Sequence, residues 1–248
     1  MNEYFYDLHM HSCLSPCGDN DMTPNNMAGM GVLNGLNIMA LTDHNTCKNC
    51  PAFFKAAKKN GIIPVAGMEL TTAEDIHVVC LFERLEDAMA FDAYVDERRS
   101  KIPNRVDIFG EQLIMDENDE VIGHDDCVLS FATTIPIDSV VRVCAQFDGF
   151  AYPAHVDRES NGAIAVLGDF PADCGFTAAE FHDGDKIEDY EARYPALRGL
   201  TKIVSSDAHY LWLIKEKKES FLLDDEPYSS DRVRHELFRH LRAGGIDA

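Results

Sequence analysis

The sequence predicts an α/β fold in which strands and helices form a barrel, and two observations carry that expectation. Short apolar runs alternate along the chain with helix-like segments, and several of those runs end in histidine, aspartate or glutamate. Parallel strands in a barrel present their C-terminal ends on one face, so groups far apart in sequence would converge there. With 248 residues and 46% hydrophobic composition, the chain can bury the core such a fold needs. It is expected to be one domain over 1–248, with an insertion at about 104–135.

In chain order, the apolar runs place strands near Phe5 to His9, Ile38 to Leu41, Ile62 to Ala66 and Val78 to Phe82. Others follow near Gly149 to Tyr152, Ala178 to Phe181, Lys202 to Ser205 and Phe221 to Leu223. Helical patterning covers Pro24 to Leu36, Pro51 to Asn60, Leu85 to Lys101, Ile137 to Phe147 and Asp231 to Arg242. Pro24 and Pro51 suit a first helical turn and Thr23 a cap; Gly61 and Gly244 suit helix ends. Between Asp107 and Asp126 the chain is rich in Asp and Glu and has no Lys or Arg, with Asp116 to Asp119 as a turn between two short apolar runs. This reads as a solvated hairpin. A calcium loop over DENDEV is the alternative, but Val121 stands where its sharp turn calls for glycine.

Composition narrows the function. A net charge of −21 repels phosphate backbones at long range, which disfavours a broad nucleic-acid groove. An anionic substrate then needs local positive charge, for which bound metal is the natural source. No apolar stretch reaches the ~20 residues of a membrane span, and MNEYFYDLH lacks the pattern of a secretory signal, so a cytoplasmic location is expected. The 8 cysteines are then thiols rather than bridges.

DLHMH ends the first run, LTDH the second, and Glu69 follows the third in VAGMEL; AYPAH delivers His155, and IVSSDAH delivers Asp207 and His209. His77 begins its run instead of ending it. The link preceding that run is shorter than the ~10 to 12 residues of a parallel crossover, so the two strands should be antiparallel, which returns His77 to the face where Glu69 ends. The candidates are thus His9, His11, His44, Glu69, His77, His155, Asp207 and His209. Imidazole with carboxylate is the donor set of zinc, manganese or iron, and these groups are too many for one ion. Taken singly, a His-x-His on a strand or an Asp-His turn is more often structural; the shared placement at strand ends favours a cluster of two or three metals.

DLHMHS, LTDHN, GMEL, IHVVCL, PAHVD and SSDAH, in that order from residue 7 to 209, resemble the PHP family, named for phosphoesterase domains of bacterial DNA polymerases and histidinol phosphatase. The resemblance implies a distorted (β/α)7 barrel with the metal cluster at the C-terminal mouth. One metal would take His9, His11, Glu69 and Asp207; a second would share Glu69 and add His77 and His155. A third would take His44, His209 and a residue of the first loop. That loop reads HSxxSDG in many members and is lengthened here to HSCLSPCGDND; counting back from Pro24 selects Asp19, with Asp21 and Cys17 as alternatives.

The implied chemistry is hydrolysis of a small phosphomonoester, a nucleotide or a metabolite phosphate, by a metal-activated hydroxide. Asp207 or His209 could protonate the leaving group. Arg158 could hold a phosphate at the mouth or pair with Asp157 or Glu159 at the surface, and His182 could contact substrate. Two alternatives are an exonuclease that trims short oligonucleotides and a catalytically silent metal-bound module that binds a partner. Cys47-x-x-Cys50, before a helix, suggests thiols of lowered pKa able to react or bind metal, against the plainer reading of two buried thiols. His124, His235 and His240 read as surface or packing residues.

Overall fold

The computed structural model describes residues 1–244. Strands β1 (Asn2–Asp7), β2 (Ile38–Leu41), β3 (Ile63–Thr71) and β4 (His77–Phe82) alternate with helices α1 (Pro24–Leu33) and α2 (Cys50–Lys59). Helices α3 (Leu85–Asp96) and α4 (Val106–Phe109), strands β5 (Leu113–Met115) and β6 (Val121–His124), and helix α5 (Ile137–Ala145) follow. Then come β7 (Gly149–Pro153), α6 (Ala163–Leu167), β8 (Ala178–Phe181), α7 (Ile187–Arg193), β9 (Thr201–Val204), β10 (Ser220–Leu223) and α8 (Ser230–Ala243).

Six strands form a curled sheet in the order β10-β1-β2-β3-β4-β7, while β8 and β9 form a parallel pair of their own. β1, β2 and β3 run parallel. β4 pairs antiparallel with β3, placing His77 opposite Thr71. The β8–β9 pair bridges from the edge strand β7 to β1: Val156 N, just past β7, donates to Glu180 O, and Met10, just past β1, bridges to Ala208. β5 and β6 pair antiparallel through a turn in which Asp116 Oδ1 accepts from the backbone of Asn118 and Glu120.

β3 is buried along its whole length, as a strand covered on both faces must be. Its alternation splits the core. Ile63 and Val65 join Tyr6, Ile38, Val79, Leu81 and Tyr152 in one apolar cluster, closed by Val233, Leu237, Phe238 and Leu241 of α8. Met68 and Leu70 face a second cluster with Phe53, Phe91 and Val140 from the flanking helices. Glu69 shares the parity of Ile63 and Val65 and so ends the strand on the face of the first cluster. Gly67 lies between them, where a Cβ would stand 2.8 Å from both Leu81 Cδ2 and Thr42 Cγ2.

Two helices end earlier than their sequence patterns. α1 stops at Leu33 because Gly35 turns left-handed (φ 75°) and Leu36 N closes back on Gly31 O, a glycine C-terminal motif. α3 stops at Asp96 because Arg99 bridges to Thr133 and sends its guanidinium onto both oxygens of Asp125 at 2.9 Å. β1 ends at Asp7, so His9 lies just beyond it. No helix among the described residues is long and apolar enough to cross a membrane.

Candidate metal centre

The C-terminal ends of β1, β2, β3, β7 and β9, with the start of β4, bring the predicted ligands together. His9, His11 and Glu69 are fully buried. Potential ligand atoms of His9, His11, Glu69 and Asp207 fall within 4.8 Å of one another, as do those of His44, Glu69 and His77, and those of His11, His44 and His209. His155 Nε2 adds a contact of 3.2 Å to Glu69 Oε1. The Glu69 carboxylate is therefore common ground: Oε1 lies 2.9 Å from His77 Nδ1 and 3.2 Å from His9 Nε2, and Oε2 lies 2.9 Å from His44 Nδ1 and 3.3 Å from His11 Nε2.

The donor set fits divalent metal. Four ligands at ~2.0 to 2.1 Å from a tetrahedral ion are about 3.3 Å apart along each edge. His9 Nε2 stands 3.2 Å from His11 Nε2 and 3.4 Å from Asp207 Oδ1, and His11 Nε2 stands 3.1 Å from Asp207 Oδ1. Glu69 Oε2, Asp207 Oδ1 and His44 Nδ1 are buried without a hydrogen-bond partner among the described residues. Buried polar atoms are normally satisfied, so inward-facing orphans spaced at ligand-to-ligand distances are what a cation site leaves.

Outer groups select the ring nitrogens that face inward. His9 Nδ1 donates to Glu180 Oε1 at 2.8 Å, His11 Nδ1 lies 2.9 Å from Ser15 Oγ, and Ser15 Oγ donates to Asp43 Oδ1. His209 Nδ1 donates to the Asp207 carbonyl at 3.0 Å. In each case Nε2 remains free, the arrangement by which a second partner orients a metal-binding imidazole. His155 (φ 27°) and Asp207 (φ 51°) both occupy left-handed backbone, a costly conformation for non-glycine residues that clusters at functional sites.

Burial opposes charge throughout this cluster, and the cluster's own charges decide who yields. Burial would raise the Glu69 carboxyl, but His77, His9 and His44 outweigh it and hold it well below the usual range. Asp207 is likewise lowered against its burial, chiefly by His9 and His11. Burial disfavours the His9 and His11 cations, yet the carboxylates win: Glu180, Glu69 and Asp207 push His9 well up, and Asp207 and Glu69 bring His11 to about 9. His44 falls to about 4 and His209 to about 3, burial first and the charge of His11 second, against the pull of Glu69 and Asp207 respectively. Asp207 thus holds no dissociable proton at neutral pH, and His209 is neutral there.

Asp19 is not brought to these groups. Its Oδ1 accepts from Asp21 N at 2.8 Å and its own N–H donates to His209 O; Cys17 and Asp21 are exposed on the same loop. The lengthened loop folds on itself, with Gly18 so near Ser12 O that a Cβ would stand 2.5 Å away. Arg158 pairs with Asp207 rather than with Asp157 or Glu159, and its Nη2 lies 3.2 Å from His182 Nδ1. Of the two readings of Cys47 and Cys50, the plainer one fits: both are buried, Cys47 Sγ donates to Gly67 O, and burial pushes the Cys47 thiol well up. Residues not anticipated are Glu180, Asp43, Ser15 and Lys215, whose Nζ donates to the carbonyls of His182 and Ser205. A carboxylate inside the apolar run AAEF was the available signal for Glu180.

A segment of 79 residues is 35% identical to a 5'-3' exoribonuclease of Haemophilus influenzae, covering 31% of this chain and 28% of that protein. A lesion-specific endonuclease from Pyrococcus furiosus superposes with a TM-score of 0.58 at 17% identity, covering 85% of this chain and 49% of the other. The chain therefore spans less than half the length of each of these two relatives. A protein from Bifidobacterium adolescentis, provisionally named a metal-dependent phosphoesterase, superposes with a TM-score of 0.56 at 17% identity over 94% of this chain and 96% of its own. Structural likeness at such identities establishes the fold. The sequence model of the PHP domain matches residues 7–211, a stretch that contains every group gathered around Glu69, and the chain accordingly belongs to the PHP family of metal-dependent phosphoesterases.

Proposed function

We propose that the chain hydrolyses a small phosphomonoester at this cluster, in the mouth of a seven-stranded β/α barrel that the β8–β9 pair completes. His9, His11, Glu69 and Asp207 would hold one divalent ion, and Glu69, His77 and His155, with His44 alongside, a second. His44 and His209 would serve a third, its remaining ligand coming from the first loop, which reaches His209 O through Asp19 N. Zinc, manganese and iron all suit the donor set. Such ions supply Lewis-acid charge and lower the pKa of water.

The chain's own residues then bind and orient. Arg158 is 38% exposed in its side chain, held by Asp207 and His182 so that its outer N–H groups can donate to a phosphate oxygen. His182, lowered by burial and by Arg158, is neutral and adds a polar contact. As metal ligands, Asp207 and His209 would turn lone pairs and not protons toward the site, so a leaving oxygen would take its proton from solvent. The observation that carries the reading is the convergence of five imidazoles, from His9, His11, His44, His77 and His155, on one fully buried carboxylate, Glu69. A structural metal site would be smaller and closed.

The likeness to an exoribonuclease favours a second reading, in which short oligonucleotides are trimmed from one end. The test is metal analysis of purified protein followed by phosphate or nucleotide release from small phosphomonoesters and labelled short RNA, with and without chelator. Chelator-sensitive release of inorganic phosphate from monoesters is expected. Release of nucleotides from RNA alone would replace the first reading with the second, and no turnover of either by metal-loaded, folded protein would leave the silent module.

A further inference from the structure

Lys215 stands where the ladder between β8 and β9 stops. That ladder ends with Phe181 opposite Val204, and the next two residues, His182 and Ser205, are joined through an ammonium instead: Lys215 Nζ donates to His182 O at 2.8 Å and to Ser205 O at 2.6 Å. The lysine has a fixed base. Asn34, at the end of α1, donates from Nδ2 to Ile214 O at 2.8 Å, and its own carbonyl accepts from Lys217 N at 2.9 Å. The peptide of His182 is also gripped from its other end, where Asp157 Oδ1 accepts from His182 N at 2.7 Å and Asp157 Oδ2 from Asp183 N at 3.1 Å.

These contacts lead to one guanidinium. Arg158 is held by the His182 ring, which follows β8, and by Asp207, two residues beyond Ser205 after β9. An ammonium bonded to carbonyls of both segments sets the spacing between the two groups that hold Arg158, and charge-assisted bonds of this kind are stronger than neutral ones. We infer that Lys215 is a positioning residue for phosphate: by clamping the ends of β8 and β9 it fixes His182 and Asp207, and through them it aims Arg158. It touches no substrate itself. The inference rests on the phosphoesterase reading for what Arg158 holds, and on the contacts alone for the clamp. Lys215 also borders an outer cleft of about 310 Å³ with Tyr6, Gly184, Val204 and Glu219, so a small cation can reach the place of its ammonium from solvent.

The test measures binding to the full chain by calorimetry, first of manganese alone and then of inorganic phosphate to the manganese-loaded protein. Lys215→Met should weaken phosphate binding by ~10-fold or more, as displacement of an orienting group does, and leave the manganese Kd unchanged. Lys215→Arg keeps the charge and paired donors and should recover most of the affinity. Lys215→Ala should recover it on addition of propylammonium, which replaces the missing stem and charge, and not on addition of 1-propanol. Asn34→Ala loosens the base of the lysine and keeps the test decisive if the lysine variants fold poorly; it should weaken phosphate and spare manganese in the same way. Unchanged phosphate affinity in the folded variants, equal losses of phosphate and manganese, or no recovery with either arginine or propylammonium overturns the inference. Side-chain nitrogen resonances of Arg158, followed by NMR, separate the clamp from the reading it rests on. If the unaltered protein binds no phosphate, the phosphate-holding role of Arg158 falls; resonances distinct in that protein and averaged in Lys215→Met still uphold the clamp, and resonances unchanged by the substitution overturn it.

Discussion

At the scale of single residues, the centre depends on groups that touch no substrate. Glu180 is the clearest, because its carboxylate can only accept, which forces the His9 proton onto Nδ1 and aims Nε2 at Glu69 and Asp207. Glu180→Gln keeps an acceptor oxygen and should retain metal, whereas Glu180→Leu should weaken affinity by roughly 10- to 100-fold; titration with manganese under competition by a chelator measures the difference. The raised imidazoles set a pH dependence. Below about 9 the His11 ring is largely protonated, and a cation must displace that proton, so affinity rises with pH. The expected strengthening is up to about tenfold per pH unit for each proton displaced. Calorimetry from pH 6 to 8 in buffers of different ionisation enthalpy reads it, and a flat Kd across that range contradicts the proton competition. Most of the residues gathered around Glu69 were legible in the sequence because imidazoles in SSDAH and DLHMH have no use in an apolar strand. It marked Glu180 only by a carboxylate inside the apolar run AAEF, and it left the first-loop ligand among Asp19, Asp21 and Cys17, because counting along a lengthened loop does not foresee how that loop folds on itself.

At the scale of elements, α8 is the part whose contribution is easiest to isolate. Its Leu237, fully buried with Val233, Phe238 and Leu241 against the strands, lies in the apolar cluster whose strands carry the ligands. Leu237→Ala should cost about 2 to 5 kcal/mol of stability, measurable by urea denaturation, while leaving every ligand side chain in place. Strand positions were legible because β2 is apolar throughout and β3 from Ile63 to Met68, and the antiparallel β3–β4 pair followed from a link too short to cross over. Helix ends were less legible. The limit of α1 depends on how Gly35 turns, and that of α3 on a partner, Asp125, well ahead in sequence. Neither is visible in local periodicity, since tertiary hydrogen bonds there outweigh helix propensity.

Across the whole molecule, the cluster links folding to metal. The carboxylates and imidazoles are buried against one another, and the unfolded chain cannot gather them, so cations bind mainly to the folded state. At a metal concentration 100 times Kd this linkage stabilises by about 2.7 kcal/mol. For a chain of this size each kcal/mol shifts Tm by roughly 2 to 4 °C. Stripping with chelator should therefore lower Tm by about 5 to 11 °C, and readdition of manganese should restore it; calorimetric scans check both, and identical transitions would show that metal is not linked to folding. The fold class was readable from the sequence at this scale, because alternating elements and polar strand ends are global patterns. Its strong negative charge was readable too, but not the arrangement that keeps Arg158 beside Asp207.

The reversal of β4 has one more outcome. Because β3 and β4 are joined by a tight turn spanning 72–76, that sector of the rim has no long connection in which insertions could accumulate. Variation in what enters must then come from the longer stretches, 104–135 and the segment after β9. Chimaeras that exchange those two pieces between homologues should transfer preference among substrates, whereas exchanges at 72–76 should not.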